Sequence, residues 1–325
     1  MSTRHHLLNL LSDGAFHSGT VLGERLGISR AAVNKAVQAL VGSGIDIHRI
    51  SGRGYRLGEA FVPLSETTIR AWLSAQGITS RVDVLDEVDS TSQYLLRALG
   101  PGDSNGRVCL GESQSAGRGR RGRGWVATPY QNLALSIAWR FEFGPAAIAG
   151  LSLAAGVAVL RALEEFGVRD AGLKWPNDIL LDGRKLAGLL VDVRGEVAGP
   201  SLVVLGLGLN VHLAARDAAL IDQPWAMLVE RVSAPVDRNR LAALIIAHLL
   251  EMFRAFERTG FESFHAEWER LHVFAGKAVR LLTSQEEVTG TVEGIDPRGG
   301  LQLRDASGRV QTFYSGEVSL RAGGG

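Results

Sequence analysis

The segment Glu112-Ser-Gln-Ser-Ala-Gly-Arg-Gly-Arg-Arg-Gly-Arg-Gly-Trp125 interleaves glycines with arginines. Gly117, Gly119, Gly122 and Gly124 permit backbone conformations that bring N–H groups close to an anion. Arg118, Arg120, Arg121 and Arg123 supply forked donors that match phosphate oxygens. No Gly-Lys-Ser/Thr follows at the spacing of a Walker loop. Composition fits a phosphate cradle and an RNA-binding Arg/Gly patch equally well, and a solvated surface loop stays open.

A second cluster is Lys174-Trp-Pro-Asn-Asp178, followed by Arg184-Lys-Leu-Ala-Gly188. Asn177 and Asp178 could be plain turn formers. Asp178 could instead hold Mg²⁺ on an ATP phosphate, a task that needs only one or two carboxylates. Lys185 falls on an otherwise apolar strand, where it needs a charged partner such as a ligand carboxylate or phosphate. Its neighbour Arg184 should face the opposite side of the pleat. Gly206-Leu-Gly-Leu-Asn210 places glycines inside a strand, marking close approach of a ligand or a tight bend. In Asp89-Ser-Thr-Ser92, Ser90 or Asp89 should cap a helix, whose exposed N–H groups can also grip a polar head group.

These groups need elements to hold them. Strands are predicted over Val82–Val88, Arg107–Glu112, Leu133–Phe141 and Leu202–Val211, and helices over Ser90–Leu99, Ile148–Phe166 and Arg238–Arg258. Asp182–Gly183 is a two-residue hairpin turn. Gly276–Leu320 alternates as about five short strands, suggesting a small barrel. At the other end, His5–Leu11, a helix capped by Ser18 and stopped by Gly27, and a third capped by Ser29 form a helix-turn-helix. The run Ile45–Leu57 follows as a β-hairpin wing. Ser29, Arg30, Asn34, Lys35 and Gln38 on the third helix, with His48, Arg49, Arg53 and Arg56 of the wing, suit base edges and phosphates. Turn, caps and wing agree on DNA binding over a solvated helical cap.

The net charge of +1 on 325 residues supplies no global field, so any nucleic-acid contact must be local. Lysine occurs only at Lys35, Lys174, Lys185 and Lys277, so the two central lysines invite a chemical explanation. Cys109 is the single cysteine, which excludes a disulfide framework. The apolar start is cut short by Asp13 and Gly14 and reads as a helix rather than a signal peptide. Arg161, Glu164 and Glu165 make Ile148–Phe166 a buried helix rather than a span. The expectation is a cytoplasmic protein with no membrane contact.

In order and spacing, GRGRRGR (117–123), KWPND (174–178), RKLAG (184–188) and GLGLN (206–210) resemble biotin–protein ligases of the bifunctional ligase–repressor type, over nearly the full chain. The resemblance implies an α+β protein in three parts. They are a winged helix-turn-helix over 1–62, a mixed-sheet catalytic domain related to lipoyl ligases over 65–272, and an SH3-like barrel over 273–322. It implies that biotin and ATP, with Mg²⁺, give biotinyl-5′-AMP, and that a lysine of a biotin carboxyl carrier protein then takes the biotin. The adenylate would also act as corepressor, promoting a homodimer that reads operator DNA. Lipoate or octanoate is the alternative acid, against which the winged helix and GRGRRGR argue.

By motif, Ser90, Thr91 and Gln114 match positions that hold the biotin head group. Gly117, Arg118 and Arg120 match the loop closing over biotin and phosphate, with Arg123 on the adenylate side. Lys185 matches the lysine that neutralises carboxylate and phosphate charge. Gly188, Gly206 and Gly208 match sites where backbone approaches biotin. Asn177 and Asp178 would handle phosphates and metal. Asn210–Trp225 matches an adenine-covering loop, with Asn210, Leu220, Ile221 and Trp225 in it.

Overall fold

The computed structural model describes residues 2–58, 62–100, 105–196, 199–232, 235–283, 286–314 and 319–322. Phe61 of the expected linker and the glycine tail 323–325 lie outside the described residues. Helices α1 (Thr3–Leu11), α2 (Gly19–Leu26) and α3 (Arg30–Gly42) precede the hairpin β1 (Ile47–Ile50) and β2 (Gly54–Leu57). The expected caps form: Ser18 Oγ accepts from Val21 N at 3.1 Å and Ser29 Oγ from Ala32 N at 3.2 Å. Gly27 takes the left-handed conformation (φ 67°) that ends α2. Leu7, Leu11, Leu22, Val37 and Leu40 close a core of their own.

Next come α4 (Glu66–Ala75), β3 (Val82–Leu85), α5 (Thr91–Ala98), β4 (Arg107–Gly111), β5 (Leu133–Phe141) and α6 (Leu151–Phe166). They are followed by β6 (Ala171–Lys174), β7 (Asp178–Leu181), β8 (Arg184–Gly195), β9 (Ser201–Leu209), α7 (Ala215–Ala218), α8 (Arg238–Thr259) and α9 (Glu262–Leu271). The seven strands form one mixed sheet in the order β3-β4-β5-β9-β8-β7-β6. Only β3 and β4 run parallel. Side chains alternate across the pleat. Leu135, Ile137, Trp139, Leu205 and Leu207 join the core that also holds α6 and α8, where Trp139 stacks on Phe253 at 5.2 Å. Ala138, Cys109 and Val204 face α5 through Leu95 and Leu96.

Two boundaries differ from expectation by three residues, more than any other. The first strand ends at Leu85 rather than Val88, because Asp86 turns aside to accept from Ser2 N at 2.5 Å and to pair with His5. The apolar helix begins at Leu151, since Gly150 (φ 82°) separates it from a 3₁₀ turn over Pro145–Ile148. Pro145–Phe166 is long and apolar enough to cross a membrane, but α6 is packed in the core, where Leu153–Leu160 are all buried.

Strands β10 (Ala278–Leu282), β11 (Glu287–Ile295), β12 (Leu301–Arg304), β13 (Val310–Phe313) and β14 (Ser319–Ala322) make an antiparallel sheet in the order β13-β12-β11-β10-β14. Trp175, fully buried, donates from Nε1 to Gly299 O at 2.9 Å, tying the β6–β7 turn to this sheet.

Candidate active site

On the α5 side of the large sheet lies a cavity of about 450 Å³. Its wall includes Ser90, Thr91, Gln114, Arg118, Arg120, Arg123, Asn177, Asp178, Lys185, Gly188, Gly206 and Gly208, which the sequence disperses over more than a hundred residues. Pairing of Gly188 with Gly208 across β8 and β9 puts two residues without side chains side by side. Trp125 fills the space above them: a methyl on Gly208 would overlap its indole, and one on Gly188 would lie 3.1 Å from its ring. These glycines therefore admit a flat group against bare backbone.

At one end, hydroxyls and an amide converge. Gln114 Oε1 accepts from Thr91 N at 2.9 Å and from Thr91 Oγ1 at 3.2 Å. Ser136, fully buried on β5, links Thr91 Oγ1 at 2.7 Å with Ser92 Oγ at 2.9 Å. Ser90 stands at the N-cap of α5, but its side chain makes no capping bond, and the Asp89 carboxylate is paired with Arg97. Neither residue caps as expected: the Asp89 carboxylate accepts from Ser90 N, and Gln114 satisfies the Thr91 N–H. Such a cluster of small donors and acceptors suits a compact polar ring.

At the other end, charges gather. Lys185 Nζ lies 2.7 Å from Asp178 Oδ1, and Lys174 Nζ 3.6 Å from Oδ2. Arg120 donates from one terminal nitrogen to Asn177 Oδ1 at 3.2 Å, while its other terminal nitrogen is buried without a partner. Burial pushes the Arg120 guanidinium below its usual value, against the attraction of Asp178. Three cations around one carboxylate leave a local excess of positive charge suited to an anion. Arg184 faces away, as the pleat requires, and pairs with Glu230 at 2.5 Å.

Both Asp178 oxygens face ammonium groups, and no group of three or more His, Cys, Asp or Glu among the described residues could hold a metal ion. A Mg²⁺ at Asp178 would therefore be shared with substrate phosphates, for which one carboxylate suffices.

The arginine–glycine loop folds as a tight hairpin rather than an open cradle. Gly119 N donates to Arg123 O at 2.7 Å and Trp125 N to Gly117 O at 2.9 Å, with left-handed Arg121 and Gly122 at the tip. These backbone donors are engaged within the loop, so its side chains reach the cavity instead. Arg118 is itself committed to Asp192 through two bonds of 3.1 and 3.2 Å, which leaves Arg120 as the inward cation.

Several expected site residues stand apart from the cavity wall. Gly117 is the hinge of the hairpin, where a methyl would lie 2.9 Å from Trp125 O. Buried Asn210 donates to Lys185 O and Ala226 O, holding strand to loop. Leu220 is 70% exposed, and neither Ile221 nor Trp225 lines the cavity; Asp222, Gln223 and Pro224 do. A backbone ladder explains this: Lys185 N donates to Pro224 O and Ala226 N to Lys185 O, turning Trp225 outward. On α3, Ser29, Arg30, Lys35 and Gln38 are exposed, as is Arg53 over the Phe16 ring at 4.6 Å. Asn34 instead donates to Tyr55 Oη at 3.0 Å, locking α3 to the wing. Sequence reasoning assigned no site role to Ser136, Lys174 or Phe274, and within the Asn210–Trp225 loop it named none of residues 222–224. Only Lys174, as a rare lysine inside a motif, carried a signal.

A mixed sheet with a glycine floor, a hydroxyl end and a cationic end defines the class. Residues 84–210 match the Biotin/lipoate A/B protein ligase family, residues 274–321 the Biotin protein ligase C terminal domain, and residues 3–56 an HTH domain. The Bifunctional ligase/repressor BirA of Salmonella typhimurium is 41% identical over 97% of this chain and 97% of its own. That of Escherichia coli is 40% identical over 97% and 96%. The structure of a biotin protein ligase from Aquifex aeolicus in complex with biotin and ATP covers 75% of this chain and 99% of its own, at 27% identity and a TM-score of 0.64. The chain belongs to the family of bifunctional biotin–protein ligase/repressors.

Proposed function

We propose that the cavity activates biotin with ATP and passes it to a lysine of a biotin carboxyl carrier protein, and that the adenylate licenses repression through the winged helix. The observation that carries this is the polarity of the cavity: hydroxyls at Thr91, Ser92 and Ser136 for a ureido ring, a floor without side chains at Gly188 and Gly208 beneath Trp125, and Lys185, Lys174 and Arg120 at the far end. A biotin laid along it brings its carboxylate to Lys185. There a carboxylate oxygen attacks the α-phosphorus of ATP, pyrophosphate leaves, and the mixed anhydride forms. Lys185 and Arg120 offset the charge that builds on the phosphoryl oxygens, where a low-dielectric wall strengthens each contact. The carrier amine then attacks the carbonyl carbon, and AMP departs with the anhydride oxygen. Mg²⁺ enters with ATP, and Asp178, which orients Lys185, is the carboxylate that would meet it.

The three units are assigned as 1–62 for DNA, 65–272 for catalysis and 273–322 for support. Ser29, Arg30, Lys35, Gln38 and Arg53 supply exposed donors to operator DNA, and a homodimer would present two such helices to a two-fold site. The location is cytoplasmic. Incorporation of labelled biotin into an apo carrier domain, dependent on ATP, tests the enzymatic part; no incorporation refutes it. Gel-shift binding that strengthens with biotin and ATP together tests the regulatory part.

A further inference from the structure

Tyr130 sits in the left-handed region at φ 63°, a conformation that a bulky L residue keeps only when its surroundings hold it there. Its side chain is 3% exposed, and its companions are Leu7, Leu8, Leu11, Leu22, Val33 and the rest of the N-terminal core. Among the described residues it is the one member of that core contributed from beyond residue 57. Its backbone closes the segment that begins at Trp125: Tyr130 N donates to Glu112 O at 2.8 Å, at the end of the strand leading into Gln114.

Two more cavity segments touch the same unit with their far ends. Asp86, four residues before Ser90, accepts from Ser2 N and faces His5 Nδ1 at 2.9 Å. Arg216, on the helix leading to the 222–224 lip, donates to Gly42 O at the end of α3 at 2.5 Å. Thr128 joins this helix to the Trp125 segment, donating to Asp217 Oδ2 at 2.7 Å and accepting from Ala214 N at 2.9 Å. Among these contacts only Tyr130 enters a hydrophobic core. The others are polar contacts, one of them to the buried His5 ring.

We propose that Tyr130 is a positioning residue, the anchor by which the DNA-binding unit holds the far ends of the ligand loops and through which adenylate and DNA-binding states are coupled. This rests on the function proposed above. The side chain touches no substrate; it acts by fixing the Trp125–Asn132 segment against α1 and α3. A ligand that orders Trp125 also orders Tyr130, so N-terminal unit and cavity must respond together.

The test uses the full chain with Tyr130→Gly and Tyr130→Phe. Glycine takes φ 63° freely, so the variant keeps the loop backbone and loses only the anchor. Wild type is loaded with labelled biotin and ATP, and release of the adenylate is followed under chase. Wild type that makes no adenylate refutes the proposed function and says nothing against the anchor. Given wild-type retention, Tyr130→Gly should release adenylate faster by about fivefold or more, with KM for biotin raised and kcat nearly kept, while Tyr130→Phe should behave as wild type. Folded Tyr130→Gly that releases at the wild-type rate overturns the proposal. Should Tyr130→Gly not fold, hydrogen exchange on the wild type decides: adenylate should slow exchange in 126–132 and in α1 together. Slowing confined to the cavity loops overturns it.

Discussion

Lys185 Nζ stands 2.7 Å from Asp178 Oδ1, and these residues belong to neighbouring strands joined by the Asp182–Gly183 turn. The lysine is therefore held extended into the cavity before any substrate arrives, and its position costs no reorganisation during phosphoryl attack.

Lys185→Ala should lower the rate of adenylate formation by about 10²–10³-fold, the usual effect of removing one preorganised electrostatic donor. Pyrophosphate release in single turnover checks it. A rate within a few-fold of wild type would place the chemistry elsewhere.

Gly208→Ala should weaken biotin binding by forcing the Trp125 indole off the β8–β9 floor. Overpacking of this kind costs about 1–3 kcal/mol, which calorimetry would read as a rise in the biotin Kd. The same change at Gly100, where among the described residues no atom lies within 4 Å of the added carbon and φ is not positive, leaves biotin binding alone.

Arg120→Ala should shorten retention of the adenylate more than Arg118→Ala does. The buried free nitrogen of Arg120 points to a phosphate partner, whereas Arg118 is already neutralised by Asp192. Equal release rates from the two variants would contradict that ranking.

Arg238 bridges Glu112 at 2.7 Å in full burial and also reaches Asn132 O, while Glu112 accepts from Leu64 N. Arg238→Ala strands the Glu112 carboxylate and should lower stability by about 3–5 kcal/mol. Urea unfolding measures this, with Glu112→Gln expected to be destabilising as well.

Burial holds His272 at about 4, below its ordinary 6.5, with Lys277 adding to the effect. The unfolded chain takes up its proton near pH 6.5 and the folded chain only near 4, so stability falls as pH drops through that window. The loss approaches about 3 kcal/mol below pH 4. His272→Leu should flatten this limb of the unfolding free energy against pH, and an unchanged slope would assign it to other groups.

The fold was legible where local rules and burial agreed: Ser18, Gly27 and Ser29 set the helix-turn-helix, and Asp182–Gly183 set the hairpin that carries Lys185. The strand over Leu133–Phe141 was readable to the residue, because both its faces are buried. The cavity was legible as motifs but not as contacts. Asp178 read as a metal ligand, and sequence spacing could not show that two lysines also converge on its carboxylate. Asn210–Trp225 was expected as a lid from the resemblance alone; which of its residues line the cavity depends on the backbone pairing of Lys185 with Pro224 and Ala226, and these are 222–224. Asn34 read as a DNA contact, and its bond to Tyr55 from helix to wing was not visible in the sequence. Ser136 had no local signal at all: only the register of β5 beside α5 makes it the centre of the hydroxyl cluster.

The central claim is that this cavity joins a biotin carboxylate to AMP. Pyrophosphate release by the purified chain, with ATP and either biotin or octanoate, tests it most directly. A rapid burst of about one pyrophosphate per site with biotin, absent with octanoate, is the predicted result. No release with biotin, or a burst only with octanoate, would contradict it.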